Sequence, residues 1–136
     1  MTRIEKLIEK YPQIKFVSRN DTPLGFDAVF LYSPYWPGRY EIVYNSELEE
    51  VKLYFVLLHE TTHFDRGDTQ YNEHNEYEAD REALEKMLDY DEVIDYSRDN
   101  PMFGDYEVAD HFQVSVDQLH QFMGPYIHAT TIEITN

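Results

Sequence analysis

The sequence predicts an α+β fold: a small antiparallel sheet packed on one histidine-bearing helix, followed by further helices. Three observations carry this. Two aromatic and β-branched runs, FDAVFLY at 26–32 and RYEIVYN at 39–45, flank a Pro/Gly turn and read as a β-hairpin. Two longer stretches, 47–65 and 73–89, repeat their apolar residues at helical spacing. The chain has 136 residues and is 42% hydrophobic, enough for one core and too short for two ordinary domains. A single domain over 1–136 is therefore expected, with its core at 10–98 and a C-terminal helical hairpin and tail at 105–136.

Taken in order, RIEKLIEKY places Ile4, Leu7, Ile8 and Tyr11 on one stripe, which predicts a short amphipathic helix stopped before Pro12. Ile14, Phe16 and Val17 suggest a short strand, and DTPLG at 21–25 a turn. The hairpin loop SPYWPG carries the single Trp. Asn45 or Ser46 can cap the next helix, with Glu49 or Glu50 completing a capping box, and Gly67 ends it. Asn72 can cap the helix after that. Pro101 breaks the chain. Residues 105–112 and 115–123 read as two short helices, the second capped by Ser115, and IHATTIEIT at 127–135 as an edge strand.

Composition removes several function classes. With no cysteine, neither a disulfide nor a thiolate metal site can form, so any metal must be held by histidine and carboxylate. The formal net charge is −16, and residues 73–110 carry 14 acidic against three basic side chains. That sign is opposite to a nucleic-acid surface. VADHFQVSVDQLHQF has the apolar pattern of a helix-turn-helix, but no Lys or Arg lies between Glu107 and Asn136, so it reads as a hairpin that covers a core or holds a partner. The N-terminal residues lack a signal-peptide pattern and no apolar run could span a bilayer, so a cytoplasmic location without membrane contact is expected.

The chemistry is concentrated in HETTH, residues 59–63. Positions i and i+4 share a helix face, so His59 and His63 can bind one cation from the same side. Glu60 lies about 100° around the helix, unsuited to that ion but placed to reach a water beside it. The preceding VKLYFVLL buries the helix, and two buried imidazoles need partners. A catalytic tetrahedral site needs a third protein ligand. On the next helix Glu76, Ala79, Asp80, Ala83 and Met87 form one stripe, with small residues that allow close approach. Glu76 is the expected third ligand and Asp80, one turn on, the acceptor for a ligand histidine's other N–H. Glu78 points about 200° away on the wheel. The remaining histidines, His74, His111, His120 and His128, have no companion at ligand spacing.

HETTH followed by EYEAD resembles the ImmA/IrrE family of small metallopeptidases, encoded on prophages and other mobile elements. RYEIVYNSELEE and YEVADHFQVSVDQLHQFM are also similar to it, and the resemblance covers residues 10–123. It departs from the family at Thr62, where many relatives carry Gly, and at Glu82-Ala83, where many carry an aromatic-Ala pair. The resemblance implies a zincin-type active-site helix, with His59, His63 and Glu76 as zinc ligands, Glu60 as general base and Asp80 as the partner of a ligand histidine. Zn2+ suits two imidazoles and a carboxylate; Mn, Fe or Co could also bind them. Tyr71, His74 and Tyr77 are near enough in sequence to stabilise an oxyanion, and the sequence does not choose among them. The implied function is a specific cut in a regulatory protein, a basic DNA-binding helix-turn-helix repressor. The rival is a non-catalytic antirepressor that sequesters such a regulator around a structural or vestigial metal.

Overall fold

The computed structural model describes residues 1–20, 26–32, 35, 37–69 and 72–124. They form an α+β fold of six helices and a three-stranded sheet. The chain divides into two compact units, Met1–Ala83 and Leu84–Asn136.

The first unit opens with α1 (Arg3–Glu9), whose start is capped when Thr2 Oγ1 accepts from the Glu5 N–H. The strands β1 (Ile14–Arg19), β2 (Ala28–Tyr32) and β3 (Tyr40–Asn45) follow, in spatial order β1-β3-β2. The β2–β3 pair is the antiparallel hairpin that the sequence predicts, with Phe30 opposite Ile42. The sheet as a whole is mixed, because β1 runs parallel to β3 with Phe16 opposite Ile42. Apolar runs announce strands but not their neighbours, so the direction of β1 could not be read from its own residues.

Helix α2 (Glu50–Arg66) lies against β2 and β3. Its Phe64 meets Tyr11, Phe30 and Tyr40 edge-on at ring separations of 5.9, 6.1 and 5.0 Å, a favourable arrangement of ring quadrupoles. Leu57 and Ile42 are fully buried. The expected cap is not made: α2 starts later, at Glu50 after the N-cap Glu49, without a side-chain cap, and Asn45 accepts from the Glu47 N–H in the preceding turn. Arg3 compensates by pairing with Glu50 through two hydrogen bonds of 2.7 and 3.0 Å, tying α1 to the first turn of α2. Gly67 ends α2 at φ 71°, φ-space that glycine enters without strain. The N–H groups of Gly67 and Asp68 then bond the carbonyls of Phe64 and His63, a Schellman closure. Asn72 caps α3 (Glu73–Met87) by accepting from the Asn75 N–H. Ala79 and Ala83 are fully buried.

The second unit holds α4 (Tyr90–Asp99), α5 (Asp105–His111) and a helix over 116–124. The predicted hairpin is present: Gln113, at φ 58°, turns the chain between α5 and the last helix. Ser115 caps that helix reciprocally, its Oγ accepting from the Gln118 N–H while Gln118 Oε1 accepts from the Ser115 N–H. Leu88, Val93, Val108, Ala109, Val114, Leu119 and Met123 form its core. The apolar pattern at 109–119 is therefore spent on packing. Helix α4 was not anticipated; its signal was Asp89, which caps it by accepting from the Glu92 N–H. The strand expected at 127–135 lies outside the described residues.

Candidate metal centre

The last turns of α2 are buried although they are polar: His59, Glu60, Thr61, Thr62 and His63 are each at most 9% exposed. The threonines satisfy their hydroxyls within the helix, both donating to the Leu58 carbonyl. The histidines look to other partners.

Three side chains meet at one point. His59 Nε2 stands 2.8 Å from Glu76 Oε2, His63 Nε2 2.9 Å from Glu76 Oε1, and the two Nε2 atoms 3.1 Å apart. The opposite nitrogens are held elsewhere. Asp80 Oδ1 lies 2.6 Å from His59 Nδ1, and Asp68 Oδ2 2.9 Å from His63 Nδ1. An ionised carboxylate only accepts, so each Nδ1–H donates outward. In the neutral rings both Nε2 lone pairs then face the same carboxylate.

Such a convergence of acceptors calls for a cation. Glu76 Oε1 is buried and has no hydrogen-bond partner; its approach to His63 Nε2 is close without being a hydrogen bond. Donors on a tetrahedral zinc stand about 3.3–3.5 Å apart, given bonds of about 2.0–2.2 Å. The observed separations are a few tenths of an ångström shorter, so small rotations suffice to admit an ion. Among the described residues, His59, His63 and Glu76 form a group that fits a metal ion.

The electrostatics agree. Burial opposes a charge on His59, but its hydrogen bond to Asp80 and the charges of Glu60, Asp80 and Glu76 outweigh burial and raise its pKa above 6.5. The place that attracts a second proton also attracts a metal. Burial pushes Asp68 up as well, yet hydrogen bonds from His63 and Arg66 prevail and hold its carboxyl below the usual range. Arg66 Nε lies 2.9 Å from Asp68, and its Nη1 lies 3.1 Å from Glu82 on α3. This chain of charges reaches His63 from behind.

The wheel argument for α3 separates the two glutamates as expected: Glu76 faces the histidines, whereas Glu78 holds Arg81 at 2.6 Å. Glu60 is buried outside the three-residue cluster, close enough for its charge to act on His59. His74 and Tyr77 are exposed, and Tyr71 lies outside the described residues. His111 stacks on Tyr96 and His120 meets Asp105, and neither belongs to the three-residue group; His128 is not among the described residues. Sequence reasoning missed Asp68, which serves His63 as Asp80 serves His59. Its signal was its place directly after Gly67, the glycine that ends the helix.

No helix among the described residues is long and apolar enough to cross a membrane. No curated protein and no solved structure matches the chain. The IrrE N-terminal-like domain, a peptidase family, matches residues 25–123, a span that includes β2, β3, α2, α3 and the helical hairpin. With well over half of its length matched, the chain belongs to the IrrE N-terminal-like domain family, a metallopeptidase-like family.

Proposed function

We propose that this protein is a zinc-dependent metallopeptidase that acts in the cytoplasm and makes a specific cut in a regulatory protein, a basic helix-turn-helix repressor of a prophage or mobile element. The observation that carries the reading is the convergence of two Nε2 atoms on one carboxylate, that of Glu76, whose Oε1 is buried, with both Nδ1 atoms already engaged. His59, His63 and Glu76 would hold the ion. Their donor set, two neutral imidazoles and a carboxylate, favours zinc among the divalent metals. Bound there, zinc would supply Lewis-acid polarisation of water and of the scissile carbonyl.

The protein's own groups do the rest. Glu60 accepts the proton of the attacking water and returns it to the leaving amine. Its burial next to His59 and the action of its charge on that ring support this role. Asp80 and Asp68 fix the imidazole tautomers and ring orientations. The net charge of −16 suits a basic DNA-binding substrate, whose approach it would steer.

Glu60→Gln tests the reading. The variant should keep its metal and bind the helix-turn-helix protein encoded beside it, but cleave it about 10²–10⁴-fold more slowly and no longer relieve repression. If repression is still lifted by Glu60→Gln, the protein works by sequestering the repressor, and the catalytic assignment falls.

A further inference from the structure

Beside the ligand cluster is a cavity of about 160 Å3. Its walls are Phe30, Tyr32, Tyr40 and Phe64, and His63 and Asp68 also line it. The rings brace one another. Phe30 and Tyr32 stack on Tyr40 at 5.9 and 5.5 Å, while Phe64 meets Phe30 and Tyr40 edge-on. This wall is a packed aromatic surface on the sheet and on α2, so it is formed before any ligand arrives.

The carboxylate of the cavity is already committed. Asp68 accepts from His63 and Arg66, so its charge is compensated and a cationic guest would find no spare carboxylate. An uncharged guest meets four aromatic rings instead. Size sets the upper limit: an apolar cavity of about 150 Å3 accepts one benzene ring. A side chain of leucine, methionine or phenylalanine size therefore fits, and a backbone segment does not.

Position supplies the role. His63 presents Nε2 to the cluster with His59 and Glu76 and at the same time lines the cavity. A side chain seated there belongs to a residue next to the reacting bond. We propose that this cavity is the specificity pocket of the enzyme and takes an uncharged apolar or aromatic side chain flanking the scissile peptide bond. The assignment rests on the peptidase reading for the word "scissile" but not for the binding itself.

The test separates the two. Zinc-loaded protein is titrated with N-acetyl-L-leucine amide, N-acetyl-L-phenylalanine amide, N-acetyl-L-lysine amide and N-acetylglycine amide, followed by NMR. The leucine and phenylalanine compounds should bind at least about tenfold more tightly than the other two, with shifts at Phe30, Tyr40, Phe64 and Thr69. Thr69, exposed and lining the cavity, offers a way to fill it. Thr69→Trp should weaken both apolar compounds at least about tenfold while zinc content stays constant. Tyr32→Ala, which enlarges the cavity, should instead move the preference towards N-acetyl-L-tryptophan amide. Equal binding of the lysine compound, shifts elsewhere, or no shift with any compound overturns the proposal. A peptide library cleaved without preference for an apolar residue beside the cut overturns it too, and leaves the peptidase reading standing. Apolar binding in a protein that cleaves no peptide supports the pocket and removes the peptidase reading.

Discussion

The two compact units bury different things. In Met1–Ala83 the buried set includes His59, Glu60 and His63, and the carboxylates around them are arranged to satisfy them. In Leu84–Asn136 the core is aliphatic, and the buried polar residue Gln118 is answered within its own capping box. Burying charge is costly unless partners are fixed in place, whereas burying leucine and valine is favourable almost wherever they fit. The first unit thus depends on what the histidines can share; the second depends on packing alone.

The sharpest way to break this contrast is to remove the ligands. His59→Ala, His63→Ala and Glu76→Ala should each reduce bound zinc, measured by elemental analysis, from about one ion per chain to almost none. Glu78→Ala should retain it, since Glu78 is engaged with Arg81. Chelation should in turn lower the hydrogen-exchange protection of amides 57–63 and leave those of Val108 and Leu119 unchanged. Equal loss in both units would erase the distinction between them.

The complementary perturbation empties the apolar core. Leu119→Ala should destabilise the second unit by about 2–5 kcal/mol in urea unfolding. Zinc content of the folded protein should not change. A smaller effect is expected behind the metal site. Asp68→Ala should weaken zinc binding about 10–100-fold, measured by competition with a chromophoric chelator. Asp68→Asn should recover part of that loss, because an amide oxygen can still accept from His63 Nδ1. No recovery would mean that the charge, not the hydrogen bond, is what His63 needs.

The smallest effect lies at the edge of the first unit. Tyr11 donates to Asp65 at 2.8 Å, and burial first, then this bond and the Asp65 charge, raise its pKa from 10.0 to about 12. The folded state therefore holds the proton more tightly than the unfolded chain. Its stabilising contribution is complete below pH 10 and is lost as the pH rises to about 12. Tyr11→Phe should be slightly less stable at pH 8 and should lose less of its stability over that alkaline range. A parallel decline in both proteins would remove Tyr11 as its source.

How far the sequence carried the structure follows from the range of each interaction. HETTH, the Glu76–Asp80 stripe, Gly67 and Asn72 are local, governed by helical period and capping, and they were legible. The α+β class followed from the same periods. The parallel partner of β1 was not legible, because pairing is decided by a chain that returns some twenty residues later. The start of α2 was placed too early, since Asn45 spends its side chain on the Glu47 N–H in the preceding turn and the first turn of α2 pairs instead with Arg3, 47 residues away. Asp68 was overlooked for a related reason. Its meeting with His63 depends on the handedness of the turn at Gly67, and spacing alone does not state handedness.

That turn has a consequence for which sequences can carry this function. Asp68 is joined to His63 twice, by its N–H to the carbonyl and by its carboxylate to the ring, and both joins require the left-handed residue between them. A Cβ at position 67 would meet nothing within 4 Å. In a saturation library selected for zinc retention, position 67 should nevertheless accept little beyond glycine and asparagine. The intolerance would appear at a residue outside the ligand cluster, with open space where its Cβ would stand, and its origin is the shape of the backbone.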